Sequence, residues 1–184
     1  MSHIRTPRRQ ATRDVVLTQD FFPKVGGAHL WLYEVYRRWP SEVEVLTDVD
    51  RTGGFEDSSP KGAFAAVGSL LRIERKDIRI EQVNLLDPRC IARFGSVVSK
   101  LKRRVGNGSA CVHCLRAFPE GFAGLLLKRG SRRRIKLVTY AHGEEILVAR
   151  SSRQLGFMAR VVYRHSDLVI CNSYNTKRLV QELC

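Results

Sequence analysis

The sequence predicts an α/β fold, an open parallel sheet with helices on both faces. Short apolar runs rich in β-branched residues alternate with longer stretches whose apolar residues recur at three- and four-residue steps. The connections between them are mostly short, as expected where each strand is followed by a helix that returns the chain to the same edge of the sheet. A third observation is that polar clusters recur where strands end, and in such folds ligands bind beyond the carboxyl ends of the strands.

The first strand is Val15-Val16-Leu17. It breaks at Pro23 and Gly26-Gly27, and Leu30, Leu32, Val35, Tyr36 and Trp39 then fit one face of a helix. Glycines at such a turn let the backbone approach a ligand closely. The first amides of the helix add unpaired N–H groups and the positive end of its dipole, so Gly26-Gly27 opens a candidate anion site. The pair alone is equally a tight turn; it matches neither the dinucleotide fingerprint nor a P-loop.

Residues 42–47 read as the second strand. Residues 48–68, with Gly53-Gly54, Ser58-Ser59-Pro60 and Gly62, read as a long loop with a short helix near Phe64. Ile78, Ile80 and Val83 alternate with charged residues and predict a third strand over 78–85. From 88 to 105, Ile91, Phe94, Val97, Val98 and Leu101 form an apolar stripe among Arg89, Arg93, Lys100, Lys102, Arg103 and Arg104, which predicts a basic amphipathic helix. Its ordinary reading is a core-packed helix with a solvated face; its functional one is a surface for anionic membrane.

The fourth strand is Ala110-Cys111-Val112-His113-Cys114. A helix over 119–130 follows, then the basic turn Ser131-Arg132-Arg133-Arg134 and the fifth strand over 135–141. That strand runs into His142-Gly143-Glu144-Glu145. Residues 152–165 predict a helix, 167–171 a sixth strand and 175–183 a last helix with Ser173 as its cap. Three clusters thus fall at strand ends: Gly26-Gly27, His142-Gly143-Glu144 and Asn172-Ser173.

Composition sets limits. At 184 residues and 43% hydrophobic content the chain suits one domain, read as 14–184 behind a basic arm, 1–13. Lys and Arg exceed Asp and Glu by 32 to 18, a formal charge of +14 that predicts attraction to phosphorylated ligands, anionic headgroups or nucleic acid. Nothing beyond charge argues for nucleic acid, because no helix-turn-helix, zinc-finger or aromatic RNA-binding signature is present. Five cysteines form an odd set without a disulfide framework, which fits reduced thiols and a cytoplasmic location. The first residues lack the apolar core of a signal peptide, and no run approaches the ~20 apolar residues of a membrane span.

Cys111 and Cys114 have a metal-ligand spacing, but residues three apart on a strand point to opposite faces and no second pair completes a site, so no metal is expected. Ser173 has no base at a recognisable spacing, and no nucleophile elbow or kinase signature occurs. His142 is the remaining candidate for chemistry. A neutral imidazole at a strand end can bind or polarise a hydroxyl or phosphate, while the ordinary reading is a hydrogen-bonded structural residue. Glu144 and Glu145 either meet sugar hydroxyls or face water.

Taken together, Phe22-Pro23-Lys24-Val25-Gly26-Gly27-Ala28-His29, the His113 strand with Pro119 and Gly121, Thr139-Tyr140-Ala141-His142-Gly143-Glu144, and the stretch from Ser166 to Ser173 with Thr176-Lys177 resemble the N-terminal domain of family 4 glycosyltransferases. The resemblance implies a Rossmann-like half of a GT-B enzyme, retaining and nucleotide-sugar-dependent, without a resident cofactor. It implies that Gly26 and Gly27 lie against the donor diphosphate, that His142 is catalytic, lining the cleft near the transferred sugar and acceptor, and that His113, Gly143, Glu144, Asn172 and Ser173 line the cleft. In family members acting on lipids, a basic surface docks on anionic membrane. That makes Arg93, Lys100, Lys102, Arg103 and Arg104 the membrane-surface candidates and carbohydrate or glycolipid biosynthesis the expected setting, peripheral on the cytoplasmic membrane face.

The sequence departs from the family pattern in two places. The position that often carries a second histidine after the fourth strand is Leu115 when aligned through His113. The basic pair and E-x7-E carboxylates of the family's donor-binding domain have no counterpart in the 184 residues. The expectation is therefore the acceptor-binding half of an enzyme, inactive without a second, separately encoded donor-binding domain, or else a truncated product. The alternative reading is a non-catalytic basic module for anionic membrane or nucleic acid.

Overall fold

The computed structural model describes residues 12–21, 27–49 and 70–184. The basic arm apart from its last two residues, Gly26, and most of the expected long loop with its helix near Phe64 lie outside the described residues.

In chain order the elements are β1 (Arg13–Leu17), α1 (Gly27–Tyr36), β2 (Val43–Thr47), β3 (Leu71–Arg75), α2 (Pro88–Val105), β4 (Ala110–Cys114), a π-type turn (Ala117–Gly121), α3 (Phe122–Gly130), β5 (Ile135–Ala141), α4 (Glu144–Ser151), α5 (Arg153–His165), β6 (Leu168–Cys171) and α6 (Tyr174–Leu183). The strands form one six-stranded sheet, ordered β3-β2-β1-β4-β5-β6, and every neighbouring pair is parallel. The α/β open sheet is therefore as the sequence predicts. From β1 the chain steps outward to β2 and β3, then crosses through α2 to β4 and steps outward the other way, so the direction of winding reverses between β1 and β4. A crevice opens at the carboxyl ends of strands where the order reverses in this way.

Alternation along the strands assigns each face its own core. Val15, Leu17, Leu46, Val112, Cys114 and Leu137 pack with buried residues of α2, α3, α4, α5 and α6. Val16, Val43, Val45, Val138 and Tyr140 pack with Leu32, Tyr33 and Tyr36 of α1. Two strand residues three apart indeed point oppositely: Cys114 joins the first core and Cys111 borders the second. All five cysteines are unpaired thiols.

Helix ends carry the expected chemistry. Asp87 caps α2 by accepting from the Arg89 N–H at 2.9 Å, with Pro88 in the first turn, where its missing N–H costs nothing. Ser173 caps α6 by accepting from the Thr176 N–H at 3.1 Å. Close approach shapes α3: a Cβ on Gly124 would stand 2.8 Å from both Cys114 Sγ and Leu137 Cδ1, so only glycine lets this helix lie so near β4 and β5.

Three expectations need correction. The third strand is Leu71–Arg75 and not 78–85. The backbone N–H groups of Ile78 and Arg79 donate to the buried carboxylate of Asp48, at 3.0 and 3.2 Å, instead of to a neighbouring strand. Ile78 and Ile80 are still buried, but as a loop packed on the sheet. A short helix, α4, stands directly after His142-Gly143, in a stretch to which the sequence reading assigns no element. On α1 and α2 the apolar stripes are narrower than read: Leu30 and Ile91 are more than half exposed.

Candidate functional site

His142 follows the last residue of β5, and Gly143 turns the chain into α4. Gly143 has φ +95°, a conformation that other residues adopt at a cost. The turn is held by side chains. The His142 N–H donates to Glu145 Oε1 at 2.9 Å, and Tyr163 Oη donates to the same oxygen at 3.1 Å. From β6, Asn172 Nδ2 donates to the His142 carbonyl at 3.2 Å while its Oδ1 accepts from Thr176 Oγ1 at 2.6 Å. Glu145 is thus a buried structural clamp, whereas Glu144, Asn172 and Ser173 are exposed at the rim.

The imidazole of His142 is half buried, and its Nε2 is buried without a hydrogen-bond partner among the described residues. Burial pushes its pKa down, an effect reinforced by the Arg116 charge and opposed by Glu145 and the Leu115 carbonyl. The ring is therefore neutral at pH 7 and can offer Nε2 to a hydroxyl. Trp31, on the first turns of α1, sets its ring at 5.7 Å from Tyr140 and 6.5 Å from His142, close to perpendicular to both. Below them, in the core, the Tyr36 and Tyr140 hydroxyls share a hydrogen bond of 2.8 Å.

The reversal point lies beside this residue. Past β1, Gln19 donates its N–H to Glu120 Oε1 at 3.1 Å; past β4, the Leu115 N–H reaches the Leu17 carbonyl at 3.3 Å. Glu120 is buried, its Oε2 has no partner among the described residues, and burial raises its pKa against the opposing pull of Arg116. Next to β1, Asp48 and Asp20 both hold Arg79, at 2.8 and 3.2 Å. None of Arg116, Glu120, Asp48, Trp31 or Asn172's backbone contact was signalled by sequence periodicity. The strand order is what brings them together.

His113 stands elsewhere. It is 3% exposed, its Nε2 lies 3.4 Å from Asp14 Oδ1, and Tyr36 and Trp39 pack edge-on against it, so it is enclosed between β4 and α1 and does not line an open cleft. Asp14, Cys111 and His113 place potential ligand atoms within 4.8 Å of one another. Asp14 Oδ2, however, already accepts from Trp39 Nε1 at 3.1 Å and Ser41 Oγ at 2.8 Å, which is the bonding of a structural carboxylate.

Gly27 is the first residue of α1, so the free amides of that helix open at the carboxyl end of β1. On α2, Arg93 grips Asp77 through two bonds of 2.7 and 2.9 Å, Lys100 reaches the Asp77 carbonyl and Arg104 pairs with Glu74. Lys102 and Arg103 project from the exposed last turn. Among the described residues no helix is long and apolar enough to cross a membrane.

A family model described as Glycosyltransferase Family 4 matches residues 25–184, which takes in every element from α1 to α6. No curated protein matches the chain significantly. The all-parallel open sheet agrees with that match, which covers most of the sequence. The chain belongs to glycosyltransferase family 4.

Proposed function

We propose that this domain is the acceptor-binding half of a retaining, nucleotide-sugar-dependent glycosyltransferase and forms one wall of a cleft that a donor-binding domain closes. The observation that carries this reading is His142. It is presented at the strand ends by backbone contacts from Glu145 and Asn172, yet its own Nε2 is left without a partner among the described residues. A buried polar atom without a partner costs about 1–3 kcal/mol, and a substrate hydroxyl would satisfy it. In this role the neutral imidazole binds a sugar hydroxyl near the transferred sugar. Gly26 and Gly27, leading into α1, lie against the donor diphosphate.

A purified chain supplied with nucleotide-sugars and sugar acceptors, alone and with a family 4 donor-binding domain added in trans, tests the reading. Transfer or donor hydrolysis is expected only in the mixture, and His142→Ala should lower it by about 10²-fold or more. Robust turnover by the chain alone would overturn the half-enzyme reading. The alternative of a basic membrane module has less to rest on, because Arg93, Lys100 and Arg104 are engaged by groups of the protein itself.

A further inference from the structure

Arg116 occupies the reversal point of the sheet. It is the second residue beyond β4, and its backbone is fixed: its carbonyl accepts the Gly121 N–H at 2.9 Å, and the preceding residue is tied to the end of β1. Its side chain is half buried. Among the described residues it is partly buried with neither an ion pair nor a side-chain hydrogen bond, whereas Arg37, Arg79, Arg93, Arg104 and Arg133 all have such partners. A guanidinium carries five donors in a fixed fork, and here none is used by a side-chain contact or enclosed away from solvent, so the fork is available to a ligand. Its charge is felt by His142, just past the end of β5, and by Glu120, in the turn that follows β4. Glu120 does not neutralise it, because no oxygen of that carboxyl comes within ion-pairing distance and one of them is bound by the Gln19 N–H.

We propose that Arg116 is an oxyanion-binding residue of the acceptor site, so that the acceptor is a sugar bearing a phosphate or carboxylate beside the hydroxyl that meets His142. The site rests on the glycosyltransferase reading for the word acceptor, and on its own geometry for the charge. The reversal point is where an open parallel sheet binds its ligand, and the planar fork of an arginine fits the paired oxygens of either group. Trp31, 44% exposed and packed against His142, supplies an apolar wall at the same edge on which the carbohydrate ring can lie.

The test uses the 184-residue chain. Its side-chain signals for arginine and histidine are followed by NMR while glucose, glucose 6-phosphate, glucuronate and uridine diphosphate are titrated in turn. One or both of the anionic sugars should bind about tenfold or more tightly than glucose, the scale of one charge-assisted hydrogen bond, and should move the Arg116 and His142 signals together. Arg116→Gln should erase that preference while keeping a native spectrum, and Arg116→Lys should restore part of it. Which of the two sugars responds identifies phosphate or carboxylate as the group recognised. Equal binding of neutral and charged sugars, a preference that survives Arg116→Gln, the absence of any sugar binding, or dependence on Arg116 for uridine diphosphate alone would each overturn the proposal. Transfer by the reconstituted enzyme that ignores acceptor charge would remove this site and leave the glycosyltransferase reading standing. Anionic-sugar binding without transfer would do the reverse.

Discussion

Two histidines stand one strand apart, His113 within β4 and His142 just past β5, and each has a tryptophan packed against it close to perpendicular, at 5.5 and 6.5 Å. Their ring surroundings are alike, and each leaves one ring nitrogen without a partner among the described residues, Nδ1 in His113 and Nε2 in His142; their places in the fold differ. His113 faces the Asp14 carboxylate, which Trp39 and Ser41 also hold, and the cluster closes the space between the sheet and the turn after α1. His142 has its backbone fixed from two sides and its Nε2 left open. An aromatic neighbour says little about what a histidine does. Where the unpartnered nitrogen stands says more: that of His113 is enclosed between β4 and α1, and that of His142 lies at the carboxyl edge of the sheet, where such folds bind their ligands.

Replacing each ring by alanine should break the comparison most visibly. His113→Ala removes a buried ring from between Tyr36 and Trp39 and takes away a partner of Asp14, so a loss of about 2–4 kcal/mol in urea unfolding is expected. His142→Ala removes a half-buried ring whose Nε2 has no partner and should cost less than about 1 kcal/mol, while ending transfer in the reconstituted enzyme. Equal losses of stability from the two changes would mean that both residues are structural.

The turn that presents His142 gives a smaller effect. Gly143→Ala places a side chain at φ +95° with its Cβ 3.1 Å from Thr176 Oγ1, where α6 is capped. About 1–2 kcal/mol should be lost, and the His142 ring signals should shift even though the ring is untouched. A stable variant with an unmoved ring would show that the positive φ is not what aims the histidine.

Asp14 sharpens the other side of the comparison through pH. Burial alone would raise its carboxyl, but hydrogen bonds from His113, Ser41 and Trp39 outweigh that and hold it below the usual value of 3.8. With the folded value lower than the unfolded one, its contribution is fully present above pH 3.8 and is lost as pH falls through the folded value. Asp14→Asn should therefore lower stability at neutral pH and narrow its gap from the unaltered protein in acid. Unfolding midpoints at pH 7 and below 4 measure the gap, and a constant gap would refute the hydrogen-bonded carboxylate.

Much of this fold was legible because its strands are buried on both faces. Val15-Val16-Leu17 and the run over 135–141 show continuous apolar character, and parallel sheets flanked by helices impose that pattern. The edge strand Leu71–Arg75 was not legible: it has a single neighbour, and charged residues fill three of its five positions. The loop after it was misread as a strand because Ile78 and Ile80 alternate for packing, while Asp48 takes up the backbone donors that a strand would use. At the site, His142, Asn172 and Ser173 could be found because each follows a strand or opens a helix. Arg116 could not, since one arginine in a connection has no period. Its place becomes visible only when the strand order puts the end of β4 beside the end of β1.

The smallest expected effect comes from the proton balance of His142 itself. Burial lowers its folded pKa below the ordinary value of 6.5, so between that lowered value and 6.5 the unfolded chain binds more protons at this residue than the folded one does. Stability from this group is accordingly unchanged above pH 6.5 and falls as pH drops below it, levelling once the folded ring is protonated too. This window lies on the neutral side of the one set by Asp14, so the two histidine environments separate along a single titration. Urea midpoints at pH 7.5 and 5.5 should differ less in His142→Gln than in the unaltered protein, and the ring's own NMR titration should fall below 6.5. A ring that titrates above 6.5 would mean that Glu145 and the Leu115 carbonyl outweigh burial. His142 would then be an imidazolium held by the protein's own acceptors and not a neutral ring offered to a hydroxyl.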